Sequence, residues 1–354
     1  MSPKDCPVRT AIGTMEGYVP GEQPQDRRYI KLNTNENPYP PSPHVLEALR
    51  NAVAEDLRLY PDPTARELRA KAADVYGVGP DQVLAGNGSD DLLSILFRAC
   101  VDAGAPADVA YPVPTYSLYD TLAQIQGVEP KTIPFGADFA LPTEALLAVG
   151  ARLNLICNPN SPSGTFITAA TIADFARRAK GVVVVDEAYA DFARESALSL
   201  LATCPNVVVL RTFSKSFSLA GMRIGLAFGS REIIAQLNKV KDSYNLDRLS
   251  LVAARAALED LPWMQANVAK IKATREILVG ELREMAFRVF ASESNFVFAV
   301  HPKLGGDNLY RGLRDKGILV RHFTTPALRE GLRITVGTPE QNSALVSTLR
   351  SLLT

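Results

Sequence analysis

The sequence contains few histidines, few cysteines and no excess charge of either sign. Its 3 histidines lie far apart, so we expect no histidine-rich metal centre and predict no metal ion. The cysteines are Cys6, Cys100, Cys157 and Cys204. Because their spacing pairs none of them, they indicate small apolar residues in a reducing cytosol rather than disulfides or a zinc site.

Charge and hydropathy exclude several classes of partner. Lys and Arg number 38 and Asp and Glu number 38, which removes any bulk attraction to nucleic acid or to an anionic membrane. No apolar run reaches the length of a membrane span, and the N-terminus is too polar for a signal peptide. The sequence therefore predicts a soluble cytoplasmic enzyme that binds small molecules, with neither nucleic acid nor membrane as a partner.

Short apolar runs alternate with amphipathic stretches through much of the chain. The stretches 91–100 and 171–180 are typical of amphipathic helices. The apolar runs predict buried strands at 82–85, 153–157, 181–185 and 207–210. Alternation of this kind favours a largely parallel sheet that is covered by helices on both faces.

The pattern changes towards the C-terminus, and 354 residues allow a second domain. A helical region over about 251–285, broken at Pro262, precedes strands at 295–300, 317–321 and 332–336 and a helix at 341–353. The predicted fold class is α/β, with a mostly parallel large-domain sheet, helices on both of its faces, and a smaller α+β domain. The predicted division is an N-terminal arm over 1–30, a large domain over 31–245 and a small domain over 246–354.

The run from Thr212 to Arg223 contains Lys215, which follows a predicted strand directly. Open α/β sheets bind ligands at the carboxyl ends of their strands, where this lysine would lie. A lysine there can form a Schiff base with a carbonyl, and Ser214 and Arg223 are suited to hold a phosphate. A single lysine is usually a solvated surface residue, so this interpretation depends on other groups at the same sheet edge.

Two further polar residues end predicted strands, at nearly equal intervals before Lys215. Asp186 ends an apolar strand, where a buried carboxylate is costly without a cationic partner such as a protonated ring nitrogen. A helix N-cap is the alternative for Asp186. Asn158 begins a loop rich in proline, which could equally be a turn with no function. Because the spacing resembles the repeat of a βα unit, we expect all three side chains to converge.

Other candidates have weaker signals. Gly88, Ser89 and Asp90 lie between a strand and a helix and could cradle a phosphate, although an ordinary capped turn explains them too. Tyr116 could stack on a flat ring or pack in the core, and Tyr189 could reach a phenolic oxygen.

Arg321 and Arg333 lie in short apolar strands of the C-terminal region. An arginine in such a strand requires an anion, which could be a ligand or the carboxylate of a structural salt bridge.

Together these residues resemble the fold type I, class II pyridoxal-phosphate-dependent aminotransferases over essentially the whole chain, and most closely the histidinol-phosphate aminotransferase family. Ser161 and Ser163 replace residues that are usually Asn and Thr, and Thr34 stands where serine is common. The segments that carry the resemblance are Tyr18–Gly21, Asn33–Pro38, Tyr60–Asp62, Asn158–Pro162, Asp186–Tyr189, Thr212–Arg223, Ser243–Leu249 and Leu332–Gly337.

The resemblance implies pyridoxal 5′-phosphate as the cofactor, held as an aldimine by Lys215. It implies a homodimer in which Tyr60 reaches the cofactor phosphate of the neighbouring subunit, and a small domain completed by the N-terminal segment. The implied catalytic residues are Lys215, Asp186, Tyr189 and Asn158. The implied cofactor-binding residues also include Gly88, Ser89, Asp90, Tyr116, Thr212, Ser214 and Arg223, and the implied substrate-binding residues are Tyr18, Asn35, Arg321 and Arg333.

The implied reaction is ping-pong transamination between histidinol phosphate and 2-oxoglutarate in histidine biosynthesis. An aromatic amino acid aminotransferase and, less closely, a threonine-phosphate decarboxylase are the alternatives. A cofactor-dependent regulator would need an added DNA-binding region, for which the chain has neither spare length nor a basic segment. An inactive binding scaffold would be expected to lack Lys215 or Asp186, and both are present.

Overall fold

Two β-sheets organise the chain in a computed structural model that describes residues 7–105 and 107–353. The predicted residue Cys6 lies outside the described residues. The strands are β1 (Ile30–Leu32), β2 (Val83–Gly86), β3 (Val109–Val113), β4 (Lys131–Pro134), β5 (Leu153–Cys157), β6 (Val182–Asp186), β7 (Val207–Thr212), β8 (Gly225–Phe228), β9 (Arg288–Val289), β10 (Phe296–Val300), β11 (Ile318–His322) and β12 (Gly331–Thr335).

Helices fill the intervals between most of the strands. They are α1 (Thr10–Thr14), α2 (Pro43–Ala52), α3 (Arg66–Tyr76), α4 (Gly88–Cys100), α5 (Leu118–Gln126), α6 (Thr143–Val149), α7 (Ala169–Arg178), α8 (Arg231–Val240), α9 (Arg248–Glu259), α10 (Leu261–Glu284), α11 (Gly306–Asp315) and α12 (Pro339–Leu353). Across residues 7–105 and 107–353, no helix has the length and apolar character needed to cross a membrane.

The large sheet has the strand order β2-β8-β7-β6-β5-β3-β4. Its strands from β7 to β4 run parallel, whereas β8 is antiparallel to both of its neighbours. The predicted mostly parallel sheet is therefore confirmed. The strands β5, β6 and β7 are apolar along nearly their whole length because both faces of the sheet are covered.

Successive residues of these strands enter two different cores, since side chains alternate across a sheet. Val183 and Val185 pack with residues of α2, α3, α7 and α9 on one face. Val184 packs with residues of α4, α5 and α8 on the other face. Each such fully buried valine contributes on the order of 1.5–3 kcal/mol. This alternation also determines which polar residues at the strand ends share a face.

The small sheet has the order β1-β11-β12-β10-β9, and β1 comes from the N-terminal segment. That strand pairs parallel to β11, with Ile30 opposite Ile318. The other pairs are antiparallel. Residues of α10, α11 and α12, among them Leu278, Leu309 and Leu345, pack against this sheet.

The helix α10 connects one core of the large sheet with the core of the small sheet, and α9 belongs to the large-sheet core. Leu246 and Ala253 belong to the same core as α2 and α3, and so does Ile271 in the first half of α10. Leu278 and Leu282, further along α10, belong to the small-sheet core. The boundary at residue 246 stays a prediction, and this packing supports a boundary within α10 instead. Pro262 lies in the first turn of α10, where a proline is tolerated.

Candidate active site

A cavity of about 870 Å³ lies at the carboxyl ends of β5, β6 and β7, and residues from both sheets line it. The start of α4 and the N-terminal segment complete its walls. Of the residues predicted from sequence, the cavity is lined by Tyr18, Asn35, Ser89, Asp90, Tyr116, Asp186, Tyr189, Thr212, Ser214, Lys215, Arg223, Arg321 and Arg333.

Lys215 lies in the loop directly after β7. Its Nζ donates a hydrogen bond to the carbonyl oxygen of Thr34 at 3.2 Å and lies 5.9 Å from the centroid of the Tyr189 ring. Burial lowers the pKa of Lys215 to about 8, and the neighbouring positive charge of Arg333 adds to the decrease. An amine with this pKa is partly uncharged near neutral pH, the form that attacks a carbonyl.

Asp186 ends β6, and only 3% of its surface is exposed. Its Oδ2 accepts a hydrogen bond from the Tyr119 hydroxyl at 2.9 Å, whereas Oδ1 has no hydrogen-bond partner among the described residues. Burial raises the pKa of Asp186 to about 6, although the Tyr119 hydrogen bond opposes that shift. Leaving a buried oxygen unpaired costs roughly 1–3 kcal/mol, so this oxygen indicates a missing donor.

Tyr189 and Asn35 form a second polar group in the cavity. The Tyr189 hydroxyl accepts a hydrogen bond from Asn35 Nδ2 at 2.9 Å. Asn35 is held by Thr335 of β12, which accepts from its backbone N–H at 3.0 Å and donates to its Oδ1 at 3.1 Å. Burial raises the pKa of Tyr189 to about 12, so its hydroxyl keeps a proton that it can donate to an oxygen in the cavity.

Arg223 and Ser214 meet at the start of α4. The guanidinium of Arg223 donates to Ser214 Oγ and to Asp90 Oδ2, each at 3.3 Å. Gly88 has a φ of +82°, and a Cβ at this position would lie 2.7 Å from Arg223 Nη2, so the arginine needs a glycine here. The unpaired N–H groups at the start of a helix bind anions, and together with Arg223 and the Ser214 hydroxyl they form a site suited to phosphate.

Tyr116 and Thr212, which were also predicted near the cofactor, form hydrogen bonds with Asp90 and Ser214 of the same site. The Tyr116 hydroxyl donates to Asp90 Oδ1 at 3.1 Å, and the Thr212 hydroxyl donates to Ser214 Oγ at 3.0 Å. Because the Asp90 carboxylate is paired with Arg223 and would repel a phosphate, Asp90 can contribute to phosphate binding only through its backbone.

Asn158, which the resemblance implies as a catalytic residue, is not among the residues that line the cavity. Its Nδ2 donates to the carbonyl oxygen of Ile167 at 2.9 Å, and its Oδ1 accepts from the N–H of the same residue at 2.8 Å. Both ends of the amide are therefore used to close the loop that follows β5. Tyr119 and Ser161, which were not among the predicted residues, do reach the site: Tyr119 contacts Asp186, and Ser161 lines the cavity.

Arg333 is a buried guanidinium with incomplete hydrogen bonding. It donates to Ser161 Oγ at 3.1 Å and to the carbonyl oxygen of Asn33 at 2.9 Å, whereas its Nε is buried and has no partner in the described part of the chain. Burial, together with the nearby charge of Arg321, lowers the pKa of Arg333. These hydrogen-bond partners are neutral oxygens, so Arg333 forms no salt bridge among the described residues and its cation faces the cavity.

Arg321 and Tyr18 lie on the same side of the cavity as Arg333. Arg321 donates to the carbonyl oxygens of Pro20 at 3.2 Å and Val19 at 3.1 Å, which fastens the N-terminal segment over the cavity. The ring of Tyr18 meets Tyr116 edge-on at 6.0 Å.

Tyr60 lies outside the cavity, and 78% of its surface is exposed. Its ring stacks on Tyr244 with centroids 4.5 Å apart.

Comparisons with known proteins agree with this geometry. A family model described as aminotransferase class I and II matches residues 27–349. A histidinol-phosphate aminotransferase of Citrifermentans bemidjiense is 50% identical over 347 residues, which cover 98% of each chain. The chain belongs to the histidinol-phosphate aminotransferase family, within the class I and II aminotransferases.

Solved structures of this family have the same fold. The histidinol-phosphate aminotransferase of Sinorhizobium meliloti, in complex with pyridoxal-5′-phosphate, superposes with a TM-score of 0.89 at 28% identity and covers 98% of this chain and 97% of its own. An L-threonine-O-3-phosphate decarboxylase of Porphyromonas gingivalis superposes with a TM-score of 0.81 at 20% identity, covering 91% of this chain and 99% of its own. That likeness concerns the fold alone, so the fold does not distinguish the two activities.

The residues of the cavity fit pyridoxal 5′-phosphate. The unpaired Oδ1 of Asp186 matches a protonated ring nitrogen, and the Tyr189 hydroxyl can donate to the phenolic oxygen. Arg223 and the start of α4 match the phosphate, and the amine of Lys215 matches the aldehyde. Across residues 7–105 and 107–353, no group of three or more His, Cys, Asp and Glu side chains is arranged to hold a metal ion.

Proposed function

We propose that this chain transfers the amino group between histidinol phosphate and 2-oxoglutarate in histidine biosynthesis, with pyridoxal 5′-phosphate bound covalently to Lys215. The proposal depends chiefly on one juxtaposition: a lysine of lowered pKa lies in the same cavity as a buried carboxylate with one unpaired oxygen. The 50% identity to a histidinol-phosphate aminotransferase over nearly the whole chain supports the choice of substrate.

Lys215 and Asp186 have complementary roles in the proposed reaction. When bound, pyridoxal 5′-phosphate supplies an electron sink for the charge that develops as the amine-bearing carbon loses its proton. Asp186, as a carboxylate, keeps a ring nitrogen protonated through Oδ1, and this hydrogen bond to a cation favours the ionised acid. Lys215, once its amine is free, moves the proton from the substrate carbon, because its lowered pKa suits a base near neutral pH.

The phosphate and phenolic ends of the cofactor are held by separate groups. Arg223, Ser214 and the start of α4 bind the phosphate, and Tyr189, held by Asn35, donates to the phenolic oxygen. Because Asn35 is in turn fixed by Thr335 of β12, the small sheet contributes to the position of a group that faces the cofactor.

Arg333 and Arg321 bind the anionic groups of both substrates. Histidinol phosphate and glutamate carry their anions at different distances from the reacting amine, and two guanidinium groups suit both of them. The unpaired Nε of Arg333 offers a donor for a charge-assisted hydrogen bond. Tyr18 and Asn35 complete this side of the site.

The proposal also includes a homodimer in the cytoplasm. Tyr60 is exposed and lies apart from the cavity of its own chain, which agrees with a role in the active site of a neighbouring subunit. Analytical ultracentrifugation should give a dimer, and Tyr60→Phe should weaken pyridoxal 5′-phosphate binding. A monomeric enzyme of full activity would contradict this part of the proposal.

Separate half-reactions test the proposed substrate. The holoenzyme mixed with histidinol phosphate alone should change its cofactor spectrum to that of the amine form, and 2-oxoglutarate alone should restore it. Phenylalanine and threonine phosphate, tested in the same way, are the matched comparisons. A faster half-reaction with phenylalanine would replace the proposal with the aromatic aminotransferase, and release of carbon dioxide from threonine phosphate would replace it with the decarboxylase.

A further inference from the structure

A second buried group of charged residues lies at the ends of β6 and β7, outside the cavity. Arg211 lies near the end of β7 and is 7% exposed, and Glu187 directly follows β6 and is 2% exposed. Asp191 lies in the turn Ala190–Phe192. With Ser196 and Ser216, these residues make up what we call the Arg211 network.

The hydrogen bonds of this network are complete at both carboxylates. Arg211 Nη1 donates to Glu187 Oε2 at 3.1 Å, and Arg211 Nη2 pairs with Asp191 Oδ1. Glu187 also accepts from Ser196 Oγ at 2.6 Å and from the N–H of Ala197 at 2.5 Å. The remaining oxygen of Asp191, Oδ2, accepts from the hydroxyl of Ser216.

The network contains the residues that follow Asp186 and Lys215 in the sequence, and these are the two residues that face the cofactor. Asp186 precedes Glu187, and Ser216 follows Lys215. Because side chains alternate across a sheet, Glu187 and Arg211 lie on the face opposite Asp186, where the ring of Tyr76 lies 5.5 Å from the Arg211 guanidinium carbon. The Ser216 hydroxyl therefore joins the Lys215 loop to a charged group behind the sheet.

The backbone of the Lys215 loop is held by a separate contact as well. Asn37 Nδ2 donates to the carbonyl oxygens of Lys215 and Ser216, each at 3.1 Å. The Lys215 side chain, in contrast, has a single hydrogen bond, to Thr34 O. The location of its Nζ therefore depends largely on how firmly the backbone of residues 215 and 216 is fixed.

We propose that Asp191 is a positioning residue for the reaction: through its bonds to Ser216 and Arg211 it fixes the Lys215 loop so that Nζ reaches both the cofactor carbonyl and the substrate proton. Catalytic groups must be held within about 0.5 Å of the productive geometry, and a misplacement of about 1 Å can cost about 100-fold in rate. The inference rests on the proposed binding of pyridoxal 5′-phosphate at Lys215.

Ser216→Ala and Asp191→Asn test this inference. Ser216→Ala removes only the hydrogen bond between the loop and Asp191. The charge of Asp191 stays paired with Arg211. Asp191→Asn retains an acceptor for Ser216 but weakens the pair with Arg211. We expect Ser216→Ala to lower kcat about tenfold with little change in KM, since the loss affects proton transfer rather than binding. We expect a smaller decrease in kcat for Asp191→Asn if the variant folds.

A spectral titration of the holoenzyme without substrate separates positioning from general stability. The absorbance of bound pyridoxal 5′-phosphate changes with pH as its link to Lys215 gains a proton. Ser216→Ala should move the midpoint of that change by about half a pH unit, because the altered loop changes the surroundings of Nζ.

The matched control is Ser42→Ala, which removes another buried serine hydroxyl that donates to an aspartate, Asp260, away from the cavity. It should lower the midpoint of thermal unfolding but leave the spectral midpoint and kcat unchanged. A Ser216→Ala enzyme with the spectral midpoint and kcat of the wild type would overturn the positioning role alone. A wild-type protein that shows no absorbance from a lysine-bound cofactor would instead overturn the proposed function, and this inference with it.

Discussion

Two buried charged groups lie at the ends of β6 and β7, on opposite faces of the same sheet. One is the Arg211 network, and the other is the group around Asp186 and Lys215 in the cavity. They differ in how completely their hydrogen bonds are formed. In the Arg211 network, each carboxylate oxygen of Glu187 and Asp191 has a partner. In the cavity, Asp186 Oδ1 and Arg333 Nε have no partner among the described residues.

This difference identifies the face that binds a ligand. A buried polar atom without a partner costs roughly 1–3 kcal/mol, so an unpaired atom that lines a cavity indicates where a ligand would supply the missing partner. The Arg211 network is satisfied by the chain itself, and we expect its loss to affect geometry and stability. In the proposed function the cofactor and the substrate complete the group in the cavity, and we expect its loss to affect chemistry.

Lys215→Ala gives the largest expected effect, because it removes both the attachment point of the cofactor and the group that moves the proton. Turnover of histidinol phosphate should become undetectable, while thermal unfolding of the apoprotein should change little. Steady-state kinetics and calorimetry on the same preparation measure the two quantities. If the variant retained even a few per cent of wild-type turnover, another residue would have to move the proton.

Asp186→Asn should give the next largest effect. Asparagine preserves the shape of the side chain but does not keep the ring nitrogen protonated. We expect kcat to fall several hundred-fold or more, about 4 kcal/mol in the barrier, as for an interaction formed mainly in the transition state. Single-turnover kinetics with histidinol phosphate measure this effect. A decrease within a factor of a few would place Asp186 among the structural residues, like Glu187.

The same substitution should stabilise the apoprotein. The pKa of Asp186 is raised from 3.8 to about 6, so the folded apoprotein holds this proton more tightly than the unfolded chain. The contribution of this group to stability is then complete below pH 4 and is lost as the pH rises through 6, a decrease of ~3 kcal/mol.

Urea unfolding of both apoproteins between pH 5 and pH 8 tests this expectation. Asp186→Asn should be the more stable protein at pH 8, with an advantage that shrinks towards pH 5. Addition of pyridoxal 5′-phosphate should stabilise the wild type much more than the variant. If the wild-type apoprotein were at least as stable as Asp186→Asn at pH 8, Asp186 Oδ1 would already have a hydrogen-bond partner in the apoprotein.

Arg333→Lys should have the smallest effect of these variants. Lysine keeps the charge but lacks the planar fork that contacts Ser161, Asn33 and an anion in the cavity. Loss of a charge-assisted contact costs on the order of 2–3 kcal/mol. KM should rise for histidinol phosphate and for 2-oxoglutarate, with the cofactor spectrum unchanged. An altered spectrum would move Arg333 from the substrate side to the cofactor side of the site.

The sequence was most informative where apolar runs end in polar residues. The strand β5 has its predicted bounds and β6 and β7 nearly so, because both faces of these strands are buried and the runs are uninterrupted. For the same reason Asp186 and Lys215 were expected at one edge. The short strands β4 and β8 have no such signal: β4 is largely exposed, and β8 begins with a glycine.

The direction of loop side chains was less predictable. Asn158 directly follows β5, as predicted, but the loop after β5 turns its amide towards Ile167. Tyr119 reaches Asp186 from α5, with its ring edge-on to that of Tyr116, and only the packing of that helix brings Tyr119 and Asp186 together. The roles of Tyr60 and of the dimer depend on a second chain, which a single sequence does not describe.

Peptide mapping of the borohydride-treated holoenzyme tests the central claim most directly. The claim is that the incompletely bonded group around Lys215 and Asp186 is the cofactor site. Purified protein reconstituted with pyridoxal 5′-phosphate and reduced with borohydride should carry one pyridoxyl group per chain, on the peptide that contains Lys215, and Lys215→Ala should carry none. Labelling of another lysine, or equal labelling of the wild type and Lys215→Ala, would contradict the account.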